Sequence, residues 1–171
     1  MSDILPEPRL LVVMGVSGSG KSSVGEALAQ HLGGAFLDGD SYHPAANIAK
    51  MSKGTPLTDE DRWPWLEALA RAMAGRPGVV IGGCSALKRV YRDRITAAAG
   101  EPVLFVHLSG TKDLIWQRMS ARKDHFMPLA LLDSQFATLE APASDENALS
   151  VPITGSVGEI AEGIARRLGR A

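Results

Sequence analysis

The chain has 171 residues, a length typical of one folded domain. Hydrophobic residues make up 45% and charged residues 22%, which is the balance of a globular protein with its own core. The formal net charge of −1 argues against general attraction to nucleic acid or membranes. The single cysteine, Cys84, excludes an internal disulfide and favours a reducing, cytoplasmic location. We predict one domain, residues 1–171, without nucleic acid or membrane as a partner.

Short apolar runs alternate with helical patterns along the chain. Five runs, the last of them weak, predict buried strands at residues 10–14, 35–37, 79–81, 103–108 and 149–151. Helical spacing of apolar residues, with the usual end signals, predicts helices at residues 22–32, 44–51, about 63–73, 87–98, 112–121, 129–139 and 157–168. This alternation indicates an α/β fold, a parallel sheet covered by helices on both faces. In such sheets, ligands bind at the carboxyl ends of the strands.

A glycine-rich loop follows the first predicted strand directly. It fits the pattern G-x-x-x-x-G-K-[ST] of phosphate-binding loops, and its members are Gly15, Val16, Ser17, Gly18, Ser19, Gly20, Lys21 and Ser22. The glycines let backbone N–H groups turn toward phosphate oxygens, and the helix that follows adds its positive N-terminal end. Lys21 is expected to reach the outer phosphates, and the Ser22 hydroxyl to ligate Mg²⁺. We therefore predict binding of ATP with Mg²⁺.

The ends of the next two strands bear on what happens to the phosphate. Many ATPases and GTPase switches carry an acid at the end of a later apolar strand, where it holds Mg²⁺ and helps to position water. The third predicted strand ends in Gly82-Gly83-Cys84, without an acid, whereas Asp38 and Asp40 follow the second strand. Such a pair suits a transferase, because one carboxylate can hold magnesium-bound water while the other takes a proton from an acceptor hydroxyl. The pattern leaves open which of the two lies nearer the metal.

Further polar clusters have an ordinary interpretation as well as a functional one. Asp59 to Asp61 favour a helix cap and first-turn dipole effect over a ligand site. Arg62, taken alone, would be a surface arginine. The basic residues between Arg118 and His125 could cover the phosphates and neutralise charge in the transition state, although such a run is more often a solvated face.

Several segments together resemble the thermoresistant, bacterial-type gluconokinase family of P-loop small-molecule kinases. Besides the phosphate loop, the resemblance is carried by residues 36–40, 43–44, 47–48, 50–51, 54–65, 84–88, 91–93, 125–128, 134–136 and 139–140. It implies a P-loop NTPase fold with a five-stranded parallel sheet, similar to the nucleoside monophosphate kinases. It also implies an acceptor-binding region at about 38–65 and a lid at about 118–128. Members of this family are often homodimers, so a homodimer is one expected assembly.

The resemblance implies a role for each matching residue. The expected catalytic residues are Lys21, Asp40 and Arg122, with Asp40 as the base or substrate anchor. Arg62 would be the partner of the gluconate carboxylate, a task that suits a planar guanidinium. Asp38 would act near the magnesium ion that Ser22 ligates, and Arg118 would contact the nucleotide. The residues expected to line the acceptor pocket are Asp38, Asp40, His43, Arg62, Ser85, Lys88 and His125.

The expected reaction is phosphorylation of D-gluconate at its 6-hydroxyl, which yields 6-phospho-D-gluconate and ADP. A related small-molecule kinase, such as shikimate kinase, would share the fold and the loop. A non-enzymatic nucleotide-binding switch is a second alternative, against which the missing acid after Ile81 argues. One departure from the family is Pro152, where members often carry an aspartate, so no adenine contact is assigned there.

Overall fold

A computed structural model describes residues 8–121 and 129–169 of the chain. Within these residues each predicted strand and helix has a counterpart. The strands are β1 (Leu10–Met14), β2 (Ala35–Asp38), β3 (Val80–Gly83), β4 (Val103–Ser109) and β5 (Ala148–Pro152). The helices are α1 (Lys21–Leu32), α2 (Ala45–Ser52), α3 (Asp59–Ala74), α4 (Arg89–Ala99), α5 (Lys112–Ser120), α6 (Leu129–Thr138) and α7 (Val157–Arg167). A 3-10 turn, Gly39–Tyr42, joins β2 to the segment before α2.

The five strands form one parallel sheet in the order β2-β3-β1-β4-β5. Because all neighbouring strands run parallel, each connection must cross a face of the sheet, and helices form these crossings. The order also places the carboxyl ends of β1, β2 and β3 side by side, with β3 in the middle. The predicted five-stranded parallel sheet is therefore confirmed, and the loops that follow these three strands meet at one edge.

Two hydrophobic cores lie on opposite faces of the sheet, and β1 contributes to both. Its alternate residues divide between them: Leu11 and Val13 pack with residues of α1 and α7, whereas Leu10 and Val12 pack with residues of α3 and α4. All five β1 residues are fully buried. This double burial explains why the strand is a continuous apolar run in the sequence.

Strand β3 continues through two glycines that the sequence analysis placed after it. A Cβ at Gly82 would lie 2.7 Å from Met73 Sδ, and a Cβ at Gly83 would lie 3.0 Å from Phe36 Cζ. Glycine is needed here because α3 and the aromatic ring of Phe36 approach the strand closely. The two glycines therefore belong to the strand rather than to a turn.

Helix α3 begins four residues before the predicted start at residue 63. The Thr58 hydroxyl accepts a hydrogen bond from Asp61 N (3.1 Å), and the Asp61 carboxylate accepts one from Thr58 N (2.9 Å). This capping box confirms the predicted role of the acidic stretch. Pro64 consequently lies inside the helix rather than in its first turn.

Among the described residues, no helix is both long and apolar enough to cross a membrane.

Candidate active site

The phosphate loop joins β1 to α1 in a conformation that depends on glycine. Gly18 and Gly20 have φ angles of 83° and 96°, in the left-handed region that other residues rarely adopt. Gly20 is the N-cap of α1, whose first turn contains no acidic residue. The buried Ser19 hydroxyl has no hydrogen-bond partner within residues 8–121 and 129–169. An unpaired buried hydroxyl beside a free helix N-terminus fits an anionic ligand such as phosphate.

Lys21 lies folded back along this loop. Its Nζ donates to the carbonyl oxygens of Gly15 and Val16, both at 3.1 Å. Burial lowers the pKa of Lys21, and the nearby carboxylates of Asp40 and Asp38 partly oppose that effect. A bound anion would further stabilise the ammonium in this desolvated position. The position and charge of Lys21 are therefore those needed to bind a phosphate group.

Two carboxylates follow β2 at the same edge of the sheet. Asp38 Oδ1 accepts a hydrogen bond from Asp40 N (3.0 Å), so Asp38 caps the 3-10 turn while the Asp40 side chain stays exposed. Gly39 between them lies against β3, since a Cβ there would be 2.3 Å from Gly83 O. This close approach places both acids beside the residue that follows β3.

That residue is Cys84, at the position where many P-loop hydrolases carry an acid. Its side chain is buried in the core on the α3 and α4 face of the sheet, and its backbone N–H donates to Val13 O (3.1 Å). Burial raises the pKa of the Cys84 thiol to about 12, so the thiol stays neutral at physiological pH. Cys84 therefore packs as a small apolar residue. The end of β3 thus carries no carboxylate.

The acceptor region contains a stacked aromatic pair. The His43 ring lies parallel to the Trp65 ring, with 4.0 Å between ring centroids, and Trp65 Nε1 donates to Gly39 O (2.7 Å). Burial lowers the pKa of His43; the Asp40 carboxylate raises it and the Arg62 guanidinium lowers it again. Imidazole with a lowered pKa is neutral near pH 7, so His43 can serve as a hydrogen-bonding surface rather than as a charge.

Arg62 forms no salt bridge with any residue among 8–121 and 129–169. Its Nη2 donates to Leu57 O at 3.4 Å, and its buried Nε has no hydrogen-bond partner in the described part of the chain. Its guanidinium carbon lies 5.3 Å from the centroid of the Tyr91 ring. A partly buried guanidinium with an unused N–H group suits a planar carboxylate ligand.

Lys88 is held beside Arg62 by a contact that the sequence analysis missed. Its Nζ lies 3.3 Å from Asp59 Oδ1, and the Tyr91 hydroxyl donates to the same oxygen at 2.6 Å. The bond from Tyr91 lowers the pKa of Asp59, while burial and this bond raise the pKa of Tyr91 to about 12. Asp59 therefore orients Lys88, in addition to any effect on the helix dipole. The residues lie 29 and 32 positions from Asp59, a separation at which sequence spacing carries no signal.

The structure brings the phosphate loop, residues 15–22, to one edge of the sheet together with Asp38, Asp40, His43, Arg62, Ser85 and Lys88. Arg118 lies on α5, where its guanidinium donates to Ile153 O, just beyond β5. Arg122, His125 and most of the predicted lid (118–128) lie outside the described residues.

A magnesium ion in this site would depend on ligands besides protein carboxylates. The described residues contain no group of three or more metal-ligating side chains. Ser22, at the start of α1, and both Asp38 and Asp40 are exposed; Ser22 and Asp38 are the residues expected to hold Mg²⁺. This small donor set fits Mg²⁺, which usually retains waters and is held jointly by protein and phosphate oxygens.

Comparison with known proteins agrees with this geometry. A family described as an AAA domain matches residues 10–142. The thermoresistant gluconokinase of Escherichia coli (strain K12) is 45% identical over 175 residues, which cover 97% of this chain and 99% of that protein. The chain belongs to the gluconokinase family. This membership confirms the resemblance seen in the sequence.

Solved structures extend the comparison to the fold. The crystal structure of a gluconokinase from Sinorhizobium meliloti 1021 matches with a TM-score of 0.86 and 47% identity, covering 94% of this chain and 91% of that one. A shikimate kinase from Bacteroides thetaiotaomicron matches with a TM-score of 0.66 and 18% identity, covering 93% and 97%. The second likeness is one of fold alone. Gluconokinases are therefore relatives in sequence and fold, and shikimate kinases share the P-loop kinase architecture.

Proposed function

We propose that the protein is an ATP-dependent gluconokinase. It transfers the γ-phosphoryl group of ATP to the 6-hydroxyl of D-gluconate and releases 6-phospho-D-gluconate and ADP. The observation that carries this proposal is the Arg62 guanidinium: its buried Nε has no hydrogen-bond partner in the described part of the chain, and its charge, like that of Asp40, acts on His43. Membership of the gluconokinase family supports the same substrate.

The donor half of the reaction depends on charge neutralisation. Backbone N–H groups of the phosphate loop and the Lys21 ammonium bind the phosphates and oppose the charge that spreads over the oxygens during transfer. Ser22 and Asp38 are the residues that would hold Mg²⁺, which would supply further positive charge to the phosphates. Arg118 and Arg122 complete the set of basic residues that we assign to the nucleotide side.

The acceptor half depends on placement of one hydroxyl. Arg62 binds the carboxylate of gluconate, and Lys88 and Ser85 contact its hydroxyl groups. Asp40, an exposed carboxylate whose charge acts on Lys21, accepts the proton of the 6-hydroxyl as the bond to phosphorus forms and the bond to ADP breaks. His43 forms one wall of the pocket with Trp65, and His125 is a further acceptor contact. Much of the rate enhancement then comes from orientation of the two substrates.

A panel of acceptors tests the proposal. The protein is mixed with ATP, Mg²⁺ and one of D-gluconate, shikimate or related sugar acids, and 6-phosphogluconate is measured with a coupled dehydrogenase, alongside ADP release for every acceptor. We expect strong preference for D-gluconate and loss of turnover in Lys21→Ala. Faster turnover of shikimate than of gluconate would identify a shikimate kinase, and nucleotide binding without transfer to any acceptor would indicate a switch.

A homodimer and a cytoplasmic location form part of the same proposal. Frequent homodimers in the family support the first, and the single buried cysteine supports the second. Light scattering on the eluting protein measures the assembly, and a homodimer would give twice the chain mass of 18.1 kDa.

A further inference from the structure

The Gln135 side chain of helix α6 contacts the phosphate loop at Ser17. The backbone N–H of Ser17 donates to Gln135 Oε1 at 2.7 Å, and Gln135 Nε2 donates to the Ser17 hydroxyl at 3.1 Å. A primary amide carries one acceptor and one donor group, and both are used on the same loop residue. Gln135 therefore holds both the peptide and the side chain of Ser17 in one orientation.

The same segment contacts the acceptor side of the site five residues later. Glu140 N donates to Leu87 O at 2.7 Å, and Arg89 N donates to Glu140 Oε1 at 2.9 Å. Lys88 is the N-cap of α4 and provides no side-chain hydrogen bond to the helix. Glu140 thus caps α4 from a distant part of the chain and holds the acceptor loop, which we define as residues 84–88.

A buried arginine makes this second contact rigid. Arg92 is 1% exposed, and it donates to Ala86 O (2.8 Å) and to Glu140 O (2.9 Å). Its guanidinium also pairs with Glu146 through bonds of 2.7 and 3.0 Å. Ala86 has a φ of 45°, which is unfavourable for alanine and must be held by surrounding contacts. The acceptor loop is therefore attached firmly to the segment that follows α6.

We propose that Gln135 is a positioning residue that sets the distance and angle between the phosphate loop and the acceptor loop. The two loops already meet at one point, where Gly15 N donates to Ser85 O at 3.2 Å. Segment 135–140 supplies a second connection through Gln135 and Glu140, and two connections restrict rotation of one loop against the other. A displacement of about 1 Å between reacting groups can reduce a rate about a hundredfold.

The kinetic part of this proposal rests on the proposed gluconokinase activity. Gln135→Leu should lower kcat about tenfold to a hundredfold, because the loops lose their relative alignment. The KM values for ATP and gluconate should each change by less than about threefold, since the groups that bind each substrate stay in place. Ser134→Ala, an exposed change on the same helix, is the matched control and should keep wild-type kinetics.

The variant Gln135→Glu keeps a hydrogen-bonding side chain at this position but adds a negative charge. A carboxylate can accept hydrogen bonds from both the Ser17 N–H and its hydroxyl, so kcat should recover most of the loss seen with leucine. The added negative charge near the phosphates should instead raise the KM for ATP. Failure of glutamate to restore kcat, or an equal loss of kcat in Ser134→Ala, would overturn the positioning role.

Amide hydrogen exchange measures the contact without any activity. In the nucleotide-free protein, the Ser17 amide should exchange at least about tenfold faster in Gln135→Leu than in wild type or Ser134→Ala, because its acceptor has been removed. Unchanged exchange would overturn the proposal. If the wild type fails to phosphorylate gluconate, the proposed function fails, whereas the exchange result still decides whether Gln135 holds Ser17.

Discussion

The two carboxylates at the end of β2 have different surroundings, although only one residue separates them. Asp38 is occupied as the cap of the 3-10 turn, with its Oδ1 bound to the Asp40 backbone N–H. The Asp40 side chain accepts no hydrogen bond from any described residue, so unlike Asp38 it does not cap the turn. Its charge influences Lys21, His43 and Cys84, which lie around the junction of donor and acceptor regions. These surroundings support our proposal that Asp40, and not Asp38, acts as the base.

We expect Asp40→Asn to lower kcat by about two to four orders of magnitude, because an amide cannot take the hydroxyl proton. The measurement is steady-state formation of 6-phosphogluconate at saturating ATP. Asp38→Asn is the matched comparison, since its amide oxygen can still accept the bond from Asp40 N. That variant should mainly raise the Mg²⁺ concentration needed for half-maximal rate. Near-normal turnover of Asp40→Asn would remove Asp40 as the base.

Arg62→Ala should raise the KM for gluconate about tenfold to a hundredfold, which corresponds to loss of a hydrogen-bonded ion pair of about 1.5–3 kcal/mol. The KM for ATP should stay nearly constant, because the phosphate loop is untouched. Arg94→Ala is a suitable control: Arg94 also lies over an aromatic ring, that of Trp63, but it pairs with Glu67. Equal increases in both KM values would show that Arg62 acts on the fold and not on the acceptor.

At the scale of single elements, the start of α3 links the acceptor region to α2. Asp61 completes the capping box with Thr58 and also accepts a hydrogen bond from Lys50 Nζ at 2.6 Å. Asn47 of α2 is buried and donates to Asp61 O at 2.9 Å. The acceptor region is consequently held as one unit by contacts that converge on Asp61.

The hydrogen bonds to the Asp61 carboxylate predict that the stability of the protein depends on pH. The bond from Lys50, with those from Thr58, lowers the pKa of Asp61 from 3.8 to about 2. A depressed carboxyl pKa stabilises the folded state above the unfolded-state pKa, and the contribution disappears as pH falls through the folded-state value. The stability advantage of wild type over Asp61→Asn should therefore be constant above about pH 5 and shrink between about pH 4 and pH 2. Urea unfolding at each pH measures it.

A neighbouring change serves as the control for that series. Glu60→Gln removes a carboxylate from the same helical turn without touching the capping box. Its difference from wild type should show no comparable decline in the same pH range. If the stability advantage of wild type over Asp61→Asn stays constant down to pH 2, the lowered pKa assigned to Asp61 is wrong.

For the whole molecule, the sheet joins two cores that share β1. Leu28 of α1 packs on one face and Leu66 of α3 on the other, and both are fully buried. Because alternate residues of β1 enter each core, loss of packing on either face should weaken the entire sheet. The two faces should therefore unfold together.

Leu28→Ala and Leu66→Ala should each lower the free energy of unfolding by about 2–5 kcal/mol. Both variants should retain one cooperative urea transition with the wild-type slope, as two-state unfolding requires. Leu131→Ala, at a position 47% exposed on α6, should change stability by about 0.5 kcal/mol or less. Separate transitions for the two faces, followed by circular dichroism and tryptophan fluorescence, would contradict this coupling.

The sequence by itself determined the succession of strands and helices along the chain and the position of the phosphate loop. Those features depend on residues close together in the chain: a continuous apolar run, helical spacing, and glycines placed before Lys21 and Ser22. It also located Asp38 and Asp40 correctly at a strand end. Element boundaries were less accurate where a distant side chain decided them, as at Gly82 and Gly83.

Only the tertiary structure decided which polar groups meet. The strand order places β3 between β1 and β2, so that residues from three loops share one edge. The bonds from Tyr91 to Asp59 and from Ser17 to Gln135 join residues 32 and 118 positions apart, which local periodicity cannot encode. Burial and pairing of the arginines are likewise not encoded locally. Arg92 is part of the core, whereas Arg62 has no acidic partner among the described residues. Both outcomes depend on which elements pack together, because desolvation and pairing arise from neighbours in space and not along the chain.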